Sequence, residues 1–296
     1  MPTFPQIRAA RRRIGARDFD FDHRIAVMAI INRTRDSFFD AGRTYELSRA
    51  VEAALEAAEA GADIVDIGGV PFSPDAYGPS EAEEIDLVVP FVEAVAGPSD
   101  VVISVDTVRS RVAEAAITAG AAIVNDTSGL WDPDMAPLVA RTGATIILTH
   151  SRAEPHKHLR KPHYDDVVAE VRSFLVDRVE RLLAAGASED QLIVDPGPDL
   201  NKNTLHTLEL CRRFDEITSI GLPTLAALSN KDFVGETLDR PRDLRLAGTL
   251  AATTWCIERG ARIVRAHDVP RTVEVVRMTE ALLGLREPAY LRHNLD

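Results

Sequence analysis

Residues 61–69 read Gly-Ala-Asp-Ile-Val-Asp-Ile-Gly-Gly, and this short stretch contains the junction that repeats throughout the fold. Gly61 follows an amphipathic segment, as glycine does where a helix ends in the left-handed conformation. The run at residues 63–67 comes next and is rich in β-branched residues that favour strands. Asp66 lies near the polar end of this run. The order of helix, glycine, strand and polar end predicts an alternating α/β fold.

The order of a short apolar run, a polar residue at its end and a helical stretch recurs eight times along the chain. The apolar runs are residues 24–31, 63–67, 101–105, 121–124, 144–148, 191–194, 223–228 and 261–264. Short, nearly continuous apolar runs are typical of parallel strands buried on both faces. Eight units favour a closed barrel over an open doubly wound sheet, and no Gly-x-Gly-x-x-Gly turn follows the first run. The sequence therefore predicts a single (β/α)8 TIM barrel over residues 24–296, with the ligand site at the C-terminal face of its strands.

Composition excludes several classes of function. The 296-residue chain has a formal net charge of −12 and a pI near 5.2, and this acidic balance disfavours nucleic acid as a partner. No apolar run reaches the roughly 18 residues of a membrane span. Cys211 and Cys256 lack metal-ligand spacing, so we expect buried thiols. Residues 1–23 are rich in arginine without the apolar core of a secretory signal, which predicts a solvated N-terminal arm on a cytoplasmic protein.

Polar residues end the predicted strands, and in this fold those ends surround the active site. Asp106, Asn125 and Asp195 offer carboxylates and an amide that can pair with the N–H donors and ring nitrogens of a flat heterocycle. Lys231 can donate to a ring carbonyl. For a single strand end another interpretation stays open, because Asp66, for example, could simply cap the following loop. As a set, these residues predict a pocket for a small polar ring.

A second group comes from the first and last strands, which are neighbours in a closed barrel. Asn32, Arg265 and His267 predict a site for phosphate or pyrophosphate, which arginine can bind through two hydrogen bonds. Asn32 is also the candidate ligand of a Mg²⁺ ion bound with pyrophosphate, because this ion needs few protein ligands. His156 and His158 lie in a polar loop without cysteine or carboxylate at ligand spacing, so we interpret them as part of a solvated loop rather than a zinc site.

Seven segments, in order, make the sequence resemble the dihydropteroate synthases from about residue 24 to residue 283. The matching segments are residues 28–38, 61–69, 103–107, 123–129, 195–197, 228–233 and 265–269. The resemblance implies that the pterin would be bound by Asp106, Asn125, Asp195 and Lys231, and pyrophosphate with its magnesium by Asn32, Arg265 and His267. In the family reaction, the amine of p-aminobenzoate displaces pyrophosphate from 6-hydroxymethyl-7,8-dihydropterin pyrophosphate. The resemblance also implies a homodimer and a pocket that accepts sulfonamide-like ligands.

Departures from the family pattern are concentrated in the loops. The family's Asn-Val-Thr-Pro-Asp-Ser-Phe is replaced by residues 32–38, in which Arg33 and Arg35 stand for Val and Pro. Residues 68–75 lack the second loop's Thr and Arg, and Leu200 removes an aromatic wall. Because closing loops position substrates and exclude water, the sequence predicts a dihydropteroate-synthase-like protein with little or no synthase activity. In the alternative, Arg33 and Arg35 partly substitute for the lost groups and the protein is an active synthase.

Overall fold

A computed structural model describes residues 5–32, 47–70, 78–155, 157 and 159–294. A hairpin of two short strands, β1 (Arg11–Ile14) and β2 (Arg17–Asp20), precedes the barrel. Eight further strands are β3 (Ala26–Asn32), β4 (Ile64–Gly68), β5 (Val102–Asp106), β6 (Ile123–Asp126), β7 (Thr145–Thr149), β8 (Leu192–Asp195), β9 (Leu225–Ala226) and β10 (Ile263–Ala266). These eight strands lie close to the eight predicted runs.

All eight strands are parallel, in the order β8-β7-β6-β5-β4-β3-β10-β9. A bridge between Val194 and Thr224 joins the two ends of this order. The predicted (β/α)8 barrel is therefore confirmed. Strand β9 is shorter than the predicted run at residues 223–228; at its start, Pro223 has no N–H to donate to a neighbouring strand.

Helices surround the barrel between successive strands. They are α1 (Leu47–Glu59), α2 (Glu81–Ala96), α3 (Ser110–Ala119), α4 (Met135–Thr142), α5 (Val167–Ala184), α6 (Thr204–Arg212), α7 (Phe214–Thr218), α8 (Asp232–Leu238), α9 (Leu246–Glu258) and α10 (Val269–Leu282). Among the described residues, no helix has the length and apolar character needed to cross a membrane. Cys211 and Cys256 are buried free thiols on α6 and α9, as predicted.

The N-terminal segment is not the solvated arm that its arginines suggested. Ile14, Phe19 and Phe21 of the hairpin region are at most 5% exposed, and they join the apolar cluster inside the barrel. Arg12 is also buried, and its guanidinium donates to four backbone carbonyls in addition to a weaker contact with that of Glu189. Burial lowers the Arg12 pKa to about 10. The hairpin therefore packs against the interior cluster of the barrel, and the arginine-rich composition concealed its alternation of buried and exposed side chains.

Candidate functional site

Strand register brings the predicted ring-binding residues to one level at the C-terminal end of the barrel. Asp106 is paired with Gly68 on one side and with Asn125 on the other. Asp195 ends β8 and is paired with Thr149, and Arg265 lies in β10, one residue before its end. Parallel strands end at the same edge, so side chains distant in sequence surround one mouth.

Asp66 is the centre of the hydrogen-bond network in this mouth. Its carboxylate is fully buried and accepts from the Ser104 hydroxyl at 2.6 Å and from the Asn125 amide nitrogen at 3.0 Å. Arg265 donates to the same carboxylate at 2.7 Å and to Asp106 at 3.0 Å. The capping role left open for Asp66 is therefore not the one the structure gives it, because its partners lie on other strands, β5, β6 and β10.

Burial shifts the pKa values of the two predicted ring-binding carboxyls upwards. It raises the pKa of Asp106 to about 7; the Arg265 charge opposes this rise, and the Asp66 charge adds to it. Burial also raises the pKa of Asp195, while the Lys231 ammonium opposes it. A hydrogen bond of 2.7 Å from the Gly197 amide occupies one Asp195 oxygen. Perturbed carboxyls in a strand-end pocket are typical of a functional site.

One acceptor of the predicted ring site has no partner. The Asn125 Oδ1 atom is buried and accepts no hydrogen bond from any described residue. The same holds for the Thr149 hydroxyl at the end of β7. A buried polar atom left unsatisfied is rare in a folded protein. Here both atoms lie at strand ends where a ligand could satisfy them.

Two lysines support the loop that follows β8. Lys231 donates to the Pro198 carbonyl, and burial lowers its pKa while Asp195 opposes this change. Lys202 is buried; its amine lies 2.8 Å from the His150 Nδ1 atom and donates to the carbonyls of Gly197 and Leu200. Burial lowers the Lys202 pKa well below its usual range. Burial, and secondarily the Lys202 charge, lower the His150 pKa to about 2.

Sequence reasoning assigned no role to Lys202. The signal available was a lysine five residues after Gly197 in a polar, aspartate-rich turn, which ordinarily indicates a solvated side chain. Gly197 has a φ of +63°, and a Cβ atom there would lie 2.4 Å from the His150 carbonyl oxygen. The turn at residues 195–200 is thus packed tightly against the end of β7, and the buried Lys202 amine donates to its carbonyls.

The predicted anion residues have other contacts in the described structure. Arg265 makes its ion pairs with Asp66 and Asp106. The His267 Nδ1 atom lies 2.9 Å from the Ser229 hydroxyl. Asn32 ends β3, paired with Gly68, and its side chain is outside the described residues. The shared anion site of Asn32, Arg265 and His267 stays a prediction, as does its magnesium ion.

The altered loops fall largely outside the described residues. The structure does not describe Arg33 and Arg35 in the first loop or residues 71–75 in the second. His156 and His158, which were interpreted as part of a solvated loop, also lie outside the described residues. The predictions that depend on these residues are therefore tested by measurements of binding and activity rather than by the geometry of the site.

A closed (β/α)8 barrel with buried acceptors and a lysine around its C-terminal mouth defines a pocket of the kind that pterin-binding enzymes possess. The chain belongs to the pterin binding enzyme family, whose model matches residues 28–267. It is 42% identical over 268 residues to "Inactive dihydropteroate synthase 2" of Mycobacterium leprae, covering 88% of this chain and 92% of that protein. It is 38% identical over 261 residues to dihydropteroate synthase of Escherichia coli, covering 88% and 93% of the two chains.

Solved structures agree with this assignment. Dihydropteroate synthase of Yersinia pestis in a sulfonamide drug complex superposes with a TM-score of 0.88 at 36% identity, covering 93% of this chain and all of that one. The Xanthomonas albilineans enzyme with 4-aminobenzoic acid gives a TM-score of 0.85 at 36% identity, covering 93% and 98%. The resemblance inferred from the seven segments is confirmed.

Proposed function

We propose that this chain binds a pterin-type ring in the barrel mouth and has little or no dihydropteroate synthase activity. The observation that carries the ring assignment is the set of acceptors formed by Asp106, the orphaned Asn125 Oδ1 and the second oxygen of Asp195. A pterin presents several neighbouring N–H donors beside a ring carbonyl, and Lys231 is the donor suited to that carbonyl. A ring with these donors would satisfy the Asn125 Oδ1 atom, which accepts no hydrogen bond from the described residues.

The proposed loss of synthase activity rests on the loops. Relatives 41–42% identical to this chain bear the name inactive dihydropteroate synthase 2. Residues 68–75 lack the Thr and Arg of the family pattern. A lost charge-assisted contact weakens binding by about 1.5–3 kcal/mol, so two such losses lower function roughly a hundredfold or more.

The second candidate is an active synthase. It is favoured by the match at all four ring-binding positions and by the 38% identity to the Escherichia coli synthase. In this case Arg33 and Arg35 would hold pyrophosphate in place of the missing loop arginine.

Pyrophosphate, if bound, would lie between Asn32, Arg265 and His267. Among the described residues, no group of three His, Cys, Asp or Glu side chains could hold a metal ion. Magnesium would therefore be bound mainly by pyrophosphate oxygens, with Asn32 as its protein ligand. We also propose that the protein is cytoplasmic and that it forms a homodimer. Analytical ultracentrifugation of the purified protein tests the homodimer.

Calorimetry with 6-hydroxymethylpterin and with the pterin pyrophosphate, each with and without Mg²⁺, separates ring binding from pyrophosphate binding. A pyrophosphate-release assay with p-aminobenzoate measures turnover on the same samples. We expect pterin binding, little gain from pyrophosphate and negligible turnover. Micromolar or tighter binding of the pyrophosphate with steady turnover would establish the active synthase, and absence of pterin binding would contradict the ring assignment. A variant that restores Thr and Arg in the second loop should gain activity if the loop is the cause.

A further inference from the structure

Among the described residues, Asp66 makes no contact that a local cap would make. Its carboxylate is fully buried, and its three donors come from other strands: Ser104 of β5, Asn125 of β6 and Arg265 of β10. Two of these donors belong to the proposed ligand site. A buried carboxylate needs hydrogen-bond donors, and this one obtains them from residues that surround the pocket.

The contact with Asp66 decides which way the Asn125 amide faces. An ionised carboxylate only accepts hydrogen bonds, so the amide nitrogen must face Asp66 and cannot exchange places with the oxygen. The nitrogen lies 3.0 Å from Asp66, and the oxygen is the buried atom without a partner among the described residues. Asn125 therefore offers an acceptor to the pocket.

The same carboxylate holds Arg265 in place. The guanidinium donates to Asp66 at 2.7 Å and to Asp106 at 3.0 Å. Arginine presents its donors in a rigid planar fork, so a guanidinium anchored on Asp66 keeps a fixed position beside Asp106. The orientation of Asn125 and the position of Arg265 thus both depend on Asp66.

We propose that Asp66 is the positioning residue of the ring site, which turns the Asn125 oxygen towards the ligand and anchors Arg265 beside Asp106. Its effect on ligands rests on the proposed function: the pocket accepts rings that offer an N–H donor to Asn125. In the Asp66→Asn variant, only one acceptor oxygen remains for three donors. The Asn125 amide is then free to turn, and its nitrogen would oppose the donor of the ring.

Two measurements test this role. The side-chain amide of Asn125 is followed by ¹⁵N NMR in the ligand-free protein, and the affinity for 6-hydroxymethylpterin is measured by calorimetry. For Asp66→Asn we expect a shifted, faster-exchanging Asn125 amide signal and an affinity about tenfold to a hundredfold lower. The matched control is Asp126→Asn, on the same strand as Asn125. Asp126 is buried like Asp66, but the described residues that hydrogen-bond to its carboxylate, Ser128 and Leu130, belong to its own loop.

The control separates positioning from stability. Asp126→Asn should destabilise the fold, but the Asn125 side-chain amide should stay slowly exchanging because its contact with Asp66 is retained. The affinity of the folded protein should stay within about twofold of wild type. An Asn125 signal that is unchanged in Asp66→Asn, or equal losses of affinity in both variants, would overturn the positioning role. A wild-type protein that shows the held Asn125 amide but binds no pterin would support that role and overturn the proposed function instead.

Discussion

Replacing Asp106 by asparagine should make the protein more stable at high pH, although Asp106 belongs to the proposed ligand site. The Asp106 side chain is only 19% exposed, and burial raises its pKa from 3.8 to about 7. The folded state therefore binds a proton at this carboxyl more readily than the unfolded state. The protonated Asp106 carboxyl makes its full contribution to the stability of the folded state below pH 3.8, and this contribution is lost as the pH rises towards about 7.

The size of the effect follows from the two pKa values. A difference between about 7 and 3.8 corresponds to a ceiling of about 4 kcal/mol at pH values above 7. The asparagine side chain of the variant resembles the protonated carboxyl and does not titrate, and Arg265 keeps its contact with Asp66. The free energy of unfolding of Asp106→Asn should thus exceed that of wild type by an amount that grows between about pH 4 and about pH 8.

Urea unfolding at several pH values measures this difference, and Asp132→Asn supplies a control of opposite sign. Burial raises the Asp132 pKa, but hydrogen bonds from the Ser110 and Asp134 amides outweigh it and lower the pKa overall. The Asp132 carboxylate therefore stabilises the fold at neutral pH and loses this effect as the pH falls. A difference in the free energy of unfolding between wild type and Asp106→Asn that stays constant across the pH range would refute the reasoning.

Three further predictions concern the packing that supports the site. Lys202→Met should raise the His150 pKa, which burial and the lysine charge hold at about 2, and lower stability by about 1–3 kcal/mol; an NMR titration without change would contradict this. Gly197→Ala should lower stability by about 2–5 kcal/mol, against about 1–2 kcal/mol for the control Gly143→Ala. Gly143 also has a positive φ, but no atom lies within 4 Å of the added Cβ. Equal unfolding midpoints for the two variants would show that the close approach at Gly197 is unimportant. Phe21→Ala should lower stability by about 3–5 kcal/mol if the hairpin packs inside the barrel, whereas a change below about 1 kcal/mol in urea unfolding would restore the solvated arm.

The barrel was predictable from the sequence because its signals are local. Each strand is a short apolar run, and glycines such as Gly61 and Gly120, both with positive φ, end the helices before the strands. Parallel strands place their C-terminal residues at one edge, so Asp106, Asn125 and Asp195 could be assigned to the same mouth. The hairpin at residues 11–20 was missed because arginine usually indicates solvent, yet Arg12, Ile14 and Phe19 are buried.

Only the tertiary structure decided which partners these side chains take. The sequence placed Arg265 near the mouth but paired it with an anion site, whereas the folded chain pairs it with Asp66 and Asp106. It left Asp66 as a possible cap, and it gave Lys202 no role. The physical reason is that the position of a residue along its strand, which local periodicity predicts, determines its level in the barrel. A buried charge, in contrast, pairs with whichever complementary group lies within about 3 Å. That choice depends on residues as much as 199 positions apart, and it exists only once the barrel has closed.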